Sequence, residues 1–101
     1  NSIILLDEKN KIITINIENG KMFWKSDVNK YLKSKNTIIN IIESKNNIIV
    51  FTNNGLCLFL NKENGMIENI QKLKINNANA IYLHDKYILY VTEKSRLHIY
   101  K

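Results

Sequence analysis

Short apolar runs separated by polar punctuation set the rhythm of this chain. Segments rich in Ile, Val, Phe and Tyr recur as SIILL, KIITINI, NTIINII, NNIIVFT, LCLFL, AIYL, YILYVT and RLHIY, each bounded by Asn, Asp, Lys, Gly or Ser. Runs this short, with β-branched and aromatic residues between turn formers, predict strands rather than helices. The chain has no proline, so Asn and Gly must supply the left-handed backbone that tight turns require. Several runs are almost continuously apolar instead of alternating, and strands of that kind are buried on both faces of their sheet. The prediction is therefore all-β, with sheets covered on both sides.

The runs also repeat. Ile3 to Lys25, read against Ile48 to Ile70, superimposes Glu18 on Glu63, Asn19 on Asn64 and Gly20 on Gly65 at a constant offset of 45 without a gap. Ile88 to Lys101 superimposes on Ile48 to Asn61 at an offset of 40, with Thr92 on Thr52 and Tyr100 on Leu60. The five extra residues fall in the connector KSDVNKYLKSKN. There Val28, Tyr31 and Leu32 stand at helical spacing behind Ser26-Asp27, which predicts one capped helical turn.

One repeat contains four strands, at 37–43, 46–52, 56–61 and 66–74. Four antiparallel strands in ~40 to 45 residues is the unit of a β-propeller, whose blades pack face to face around an axis. The expected division is 1–26 as the last three strands of a blade, 37–74 as a complete blade and 79–101 as the first three strands of the next. About two and a half blades do not close a ring of roughly four to eight. The remaining blades are expected from a longer polypeptide, of which this would be the C-terminal part, or from association as a homo-oligomer.

The stretch TINIENGKMFWK resembles the repeat of the pyrroloquinoline-quinone-like (PQQ-like) propeller family, whose loose pattern is Ala-x-Asp-x-x-Thr-Gly-Lys-x-x-Trp. Gly20, Lys21 and Trp24 match that pattern, while Thr14, Asn16 and Asn19 stand where Ala, Asp and Thr are usual. In the second copy Gly65 matches, Asn61 and Asn64 are acceptable turn residues, and Asn69 replaces the tryptophan. The resemblance implies that the glycine permits a positive-φ turn and that the tryptophan docks on a neighbouring blade. On it, Asn19, Gly20, Lys21, Trp24, Asn64 and Gly65 are structural repeat positions. A large aromatic beside a hairpin turn leads to the same inter-blade packing role.

The family includes quinoprotein dehydrogenases, which hold their cofactor on the axis with calcium, an acidic base and, commonly, a vicinal disulfide. This chain has one cysteine, Cys57, inside LCLFL, and its acidic residues are scattered among the turns. No catalytic, cofactor-binding or metal-binding residue is expected, and no cofactor. His84 with Asp85, and His98, lack the spacing of a metal site; Ser44 and Ser95 lack the strained turn of a nucleophile. Tyr82, Tyr87, Tyr90 and Tyr100 are read as blade packing rather than a base-stacking platform.

Net charge is +6, but fourteen of the fifteen cations are Lys, with Arg96 the exception. Composition is dominated by Ile, Asn and Lys, the bias of A+T-rich coding, and the lysines form no stripe, so no nucleic-acid partner is expected. No apolar run reaches the ~18 residues of a membrane span. The resemblance then points to the family's non-catalytic branch, which includes an outer-membrane assembly lipoprotein of the periplasm. That implies a scaffold for protein–protein interaction, periplasmic and tethered to the outer membrane in its full form. A dehydrogenase fragment and a luminal or extracellular sensor domain stand as alternatives.

Overall fold

The computed structural model describes residues 2–33, 36–75, 77–84, 87–92 and 96–100. Its strands are β1 (Ser2–Leu6), β2 (Lys11–Asn16), β3 (Met22–Asp27), β4 (Ile38–Glu43), β5 (Asn47–Thr52), β6 (Leu56–Asn61), β7 (Ile67–Lys72), β8 (Ala78–His84), β9 (Tyr87–Thr92) and β10 (Leu97–Tyr100). They form three antiparallel sheets in the orders β1-β2-β3, β4-β5-β6-β7 and β10-β9-β8. Among the described residues there is no α-helix. The architecture is a partial β-propeller.

Pleat alternation decides how the sheets stack, because successive side chains on a strand point to opposite faces. On β5 and β6, Ile48, Val50, Leu58 and Leu60 turn one way and join Ile12, Trp24 and Val28 in a core between the first and second sheets. Ile49, Phe51 and Cys57 turn the other way and join Ile75, Ala78 and Ile81 in a core between the second and third. The middle sheet is thus buried on both faces, which is why its β5 reads NIIVFT with no alternation. In the same joint β4 runs alongside β8, and the Asn40 side-chain amide donates to the Ile81 carbonyl at 2.7 Å.

Irregularities repeat with the sequence. Strands β2 and β3 slip register at Thr14/Ile15, and β6 and β7 slip at Phe59/Leu60, 45 positions on. Strands β4 and β5 slip between Ile38 and Asn40, and β8 and β9 between Ala78 and Ala80, 40 positions on. A bulge bends its strand and raises the local twist, so equal bulges give successive sheets equal curvature.

The connector differs in detail from its expectation. It holds a 3₁₀ turn at Asn29–Tyr31 with Val28 as N-cap residue. Ser26 and Asp27 precede the turn but neither is its N-cap residue, because both are ladder residues, paired with Ile12 and Lys11. The Asp27 carboxylate still accepts from the Asn29 backbone amide at 2.9 Å. Val28 is fully buried, with Tyr31 and Leu32 packed on the first core.

Candidate functional site

The two copies of the Asn-Gly turn share four hydrogen bonds, and the second adds one from the Asn64 amide to the Asn61 side chain at 3.2 Å. In the first, the Gly20 amide donates to the Asn16 carbonyl at 2.8 Å and the Asn16 amide to the Lys21 carbonyl at 2.8 Å. In the second, Gly65 donates to Asn61 at 2.8 Å and Asn61 to Met66 at 2.7 Å. The side-chain oxygens of Asn16 and Asn61 accept from Glu18 and Glu63, each at 2.8 Å. Those of Asn19 and Asn64 accept from Lys21 and Met66, each at 2.9 Å. Gly20 and Gly65 have φ of +73° and +75°, a region that costs an L-residue with a Cβ. Asparagine fills the first position because its side-chain carbonyl reaches its own backbone two residues on.

Their surroundings separate the two turns. Nothing lies within 4 Å of a Cβ built on Gly20, whereas one on Gly65 would stand 2.3 Å from the Trp24 ring. Trp24 is 7% exposed and its indole N–H donates to the Lys62 carbonyl at 2.9 Å, across 38 residues of chain. Strand β3 of the first sheet therefore hooks onto the β6–β7 turn of the second. Of the six repeat positions, the structure brings Trp24 and Gly65 together; Asn19, Gly20 and Lys21 stay in an exposed turn, and Asn64 closes its own. The absence of a Cβ at Gly65 as a seat for Trp24 was missed by sequence reasoning. Its only local signal, a glycine where positive φ suffices as an explanation, hides the second role.

Above this hook lies a polar rim. Lys62 pairs with Glu43 at 2.5 Å and donates to the Ser44 carbonyl at 3.2 Å. The Glu68 carboxylate accepts from Asn47 at 2.8 Å and Asn61 at 3.1 Å, and these amides, Asn61 first, hold it below the ordinary value. Beside the rim a cavity of about 340 Å³ opens between the first two sheets, lined by residues including Ser2, Ile4, Thr14, Glu43, Ile48 and Lys62. The Thr14 hydroxyl in its wall is buried without a hydrogen-bond partner.

Both outward faces of the three-sheet stack are apolar. Ile4 packs on the first core, so its neighbours Ile3 and Leu5, each 44% exposed, face away from it. Their counterparts at the offset of 45, Ile48 and Val50, are fully buried in the middle sheet. In the third sheet His98 stacks on Tyr90 with ring centroids 4.8 Å apart, and Tyr90 packs on the second core. Leu97 and Ile99, 65% and 59% exposed, face outward. Their counterparts at the offset of 40 are Cys57, 3% exposed, and Phe59, packed on the second core.

Among the described residues no three His, Cys, Asp or Glu side chains are placed to hold a metal ion. His84 ends β8 and His98 lies in β10, while Asp85 and Ser95 lie outside the described residues. The Ser44 hydroxyl donates to the Asn47 carbonyl in its own turn. Cys57 is buried, and desolvation pushes its thiol up to about 11. Tyr82 and Tyr87 are 57% and 43% exposed, and Tyr82 stands in the register β8 uses for its outward face, beside inward Ile81. No helix among the described residues is long and apolar enough to cross a membrane.

No family model matches the sequence, and no curated protein matches it. Among solved structures, the chain is similar to BamB from Moraxella catarrhalis, with a TM-score of 0.70 at 12% identity over 97% of this chain and 28% of that one. It is also similar to the computationally designed Ika4 protein, with a TM-score of 0.64 at 12% identity over 99% of this chain and 59% of that one. The chain thus spans less than two thirds of either protein. At such identity the likeness concerns the fold, that of a propeller section.

Proposed function

We propose that this chain is a non-catalytic section of a PQQ-like β-propeller that works as a scaffold for protein–protein contact. The three sheets are then successive blades, and Trp24 on Gly65 is the joint between the first two. The observation that carries the reading is the pair of outward faces. Ile3 and Leu5 at one end, and Leu97 and Ile99 at the other, are exposed where the middle sheet buries the equivalent positions against a neighbour. Apolar surface of this kind gains by being covered. Further blades cover it, from the same polypeptide or from a second copy. The particular role, a periplasmic scaffold in outer-membrane protein assembly, comes from the resemblance of the repeat to the PQQ-like family; the likeness to BamB supports the propeller fold that role needs.

The test is sedimentation of the chain over a wide concentration range beside two charge variants, Ile3→Lys/Leu5→Lys and Leu97→Lys/Ile99→Lys. Self-association of the parent is expected, with both variants monomeric alone and a one-to-one pair restored when they are mixed, since each keeps one intact face. A parent that stays monomeric throughout, or variants that associate as it does, would overturn the reading. A parallel titration with pyrroloquinoline quinone and calcium is expected to show no binding; saturable binding would move the chain to the dehydrogenase class.

A further inference from the structure

All three glycines of the chain, Gly20, Gly55 and Gly65, directly follow an asparagine. Such a pair is open to intramolecular attack, because no glycine side chain obstructs the backbone nitrogen as it approaches the preceding side-chain amide. Folding treats the three pairs differently. In Asn19-Gly20 the Asn19 side-chain oxygen accepts from the Lys21 amide at 2.9 Å, which curls the side chain over its own backbone and brings its carbonyl carbon round toward the Gly20 nitrogen. The Lys21 N–H thereby points at the oxygen that gains negative charge when a nucleophile adds. Both residues are exposed, and nothing lies within 4 Å of a Cβ built on Gly20. Asn64-Gly65 has the same curl, toward the Met66 amide. There Gly65 is buried beneath the Trp24 ring, and the Asn64 amide is tied to the Asn61 side chain at 3.2 Å. In Asn54-Gly55 the side-chain oxygen is engaged outside its own turn, accepting from the Asn77 amide at 3.3 Å. Gly55 is buried, and its carbonyl accepts from the Leu73 amide at 2.7 Å.

We infer that Asn19 is a self-modification site, at which the folded protein converts its own side-chain amide into a carboxylate, while Asn64 and Asn54 are shielded from the same reaction. The Gly20 N–H must first leave the Asn16 carbonyl, a local opening that an exposed hairpin tip makes at low cost. Hydroxide then takes the proton, and the nitrogen lone pair forms a bond to the Asn19 Cγ as the carbonyl π pair moves onto Oδ1. When that pair returns, the bond from Cγ to Nδ2 breaks, and the departing nitrogen takes a proton from water to leave as ammonia. A cyclic imide remains and the hydroxide is regenerated. Water opens the imide at either carbonyl. Opening at Cγ restores the main chain and gives aspartate; opening at the α-carbonyl routes the chain through the side chain and gives isoaspartate. In net terms a water is consumed and an ammonia released. Both products add a negative charge to the turn, and isoaspartate also lengthens the backbone inside the Asn16 to Lys21 closure, loosening the hairpin that carries Trp24. None of this depends on what covers the outer faces of the stack.

The experiment incubates the intact chain at mildly alkaline pH, digests it at intervals and maps the peptides by mass spectrometry, with electron-transfer fragmentation to separate aspartate from isoaspartate. The mass gain of an amide turned to an acid is expected about tenfold faster at Asn19 than at Asn64, and slowest at Asn54. In urea, where the shielding is gone, the three rates are expected to agree within about threefold. In Trp24→Phe, which lacks the indole bond to Lys62, the Asn64 reaction is expected to quicken about threefold with Asn19 unchanged. Equal rates at the three sites in the folded chain would overturn the inference, and so would a ranking that persists in urea, since neighbouring sequence and not structure would then set it. An Asn64 rate unmoved by a folded Trp24→Phe would remove the ring as its shield. Should that variant fail to fold, the ranking in the parent chain, folded against unfolded, decides the matter by itself.

Discussion

Gly20 and Gly65 share one backbone conformation and one set of turn bonds and differ in what a side chain there would meet, which makes them a controlled pair. Alanine at Gly20 meets open space, so it carries only the left-handed backbone penalty of about 1 kcal/mol. Alanine at Gly65 adds a clash with the Trp24 ring at 2.3 Å and strains the bond to Lys62, raising the cost to about 3 kcal/mol. Urea denaturation of the two variants checks this; equal losses would show that Trp24 moves aside freely. At this scale the sequence was partly legible. The turn and its glycines stand out because asparagine and glycine announce their backbone locally. The seat beneath Trp24 does not, since its partner is 41 positions away in sequence. The unpartnered Thr14 hydroxyl was equally hidden, lying in a run of isoleucines that reads as ordinary strand.

Among the elements, hairpins and connectors are held by side chains acting on the backbone of their own turn. Asp7, at the end of β1, accepts from the Lys9 and Lys11 amides at 2.8 and 2.9 Å. At the position aligned with it, the Thr52 hydroxyl accepts from the Leu56 amide at 3.0 Å. Chemically different residues thus close equivalent turns, and the residue with positive φ that follows is Asn10 in one and Gly55 in the other. The Lys11 amide, foremost, holds the Asp7 carboxyl below its ordinary value of 3.8, and the Asn29 amide does the same for Asp27. For a carboxyl lowered by folding, the stabilisation is complete above the unfolded value and is lost as pH falls through the folded one. Stability is therefore expected to be flat down to about pH 5 and to decline below 3.8. In the Asp7→Asn variant the neutral-pH plateau drops and part of the acid slope disappears. Thermal unfolding between pH 2 and pH 7 measures both, and an unchanged slope would show that Asp7 does not report on folding. Strand identity and order were readable because apolar runs and repeat offsets are properties of the chain alone. The connector's exact turn was not, because β3 extends through Asp27 to complete a ladder with β2, and that pairing belongs to tertiary structure.

The whole molecule is a stack in which the middle sheet touches both others, and each joint has its own chemistry. The all-β class and the partial propeller were legible from the duplication at offsets of 45 and 40, and from the continuous apolarity of β5. What one copy of a repeat buries, the other copies are built to bury, which is why the outward faces could be assigned position by position. The contact of β4 with β8 through Asn40 and Ile81 was not foreseen, because a single asparagine inside NTIINII carries no mark of its cross-sheet partner.

Trp24 is the only tryptophan in the chain, and it stands at one joint and not the other. Indole emission is thereby a reporter of whether the first sheet is seated on the second, and it is silent about the third. In stacked repeats that contact only their neighbours, units can detach in sequence rather than together. With the short β10 exposed at the far end, the far-ultraviolet dichroism of the strands is expected to fall at lower denaturant than the tryptophan signal. Coincident curves would mean that the three sheets unfold as one cooperative body. Nature has in effect placed a lamp in one doorway of a two-door corridor.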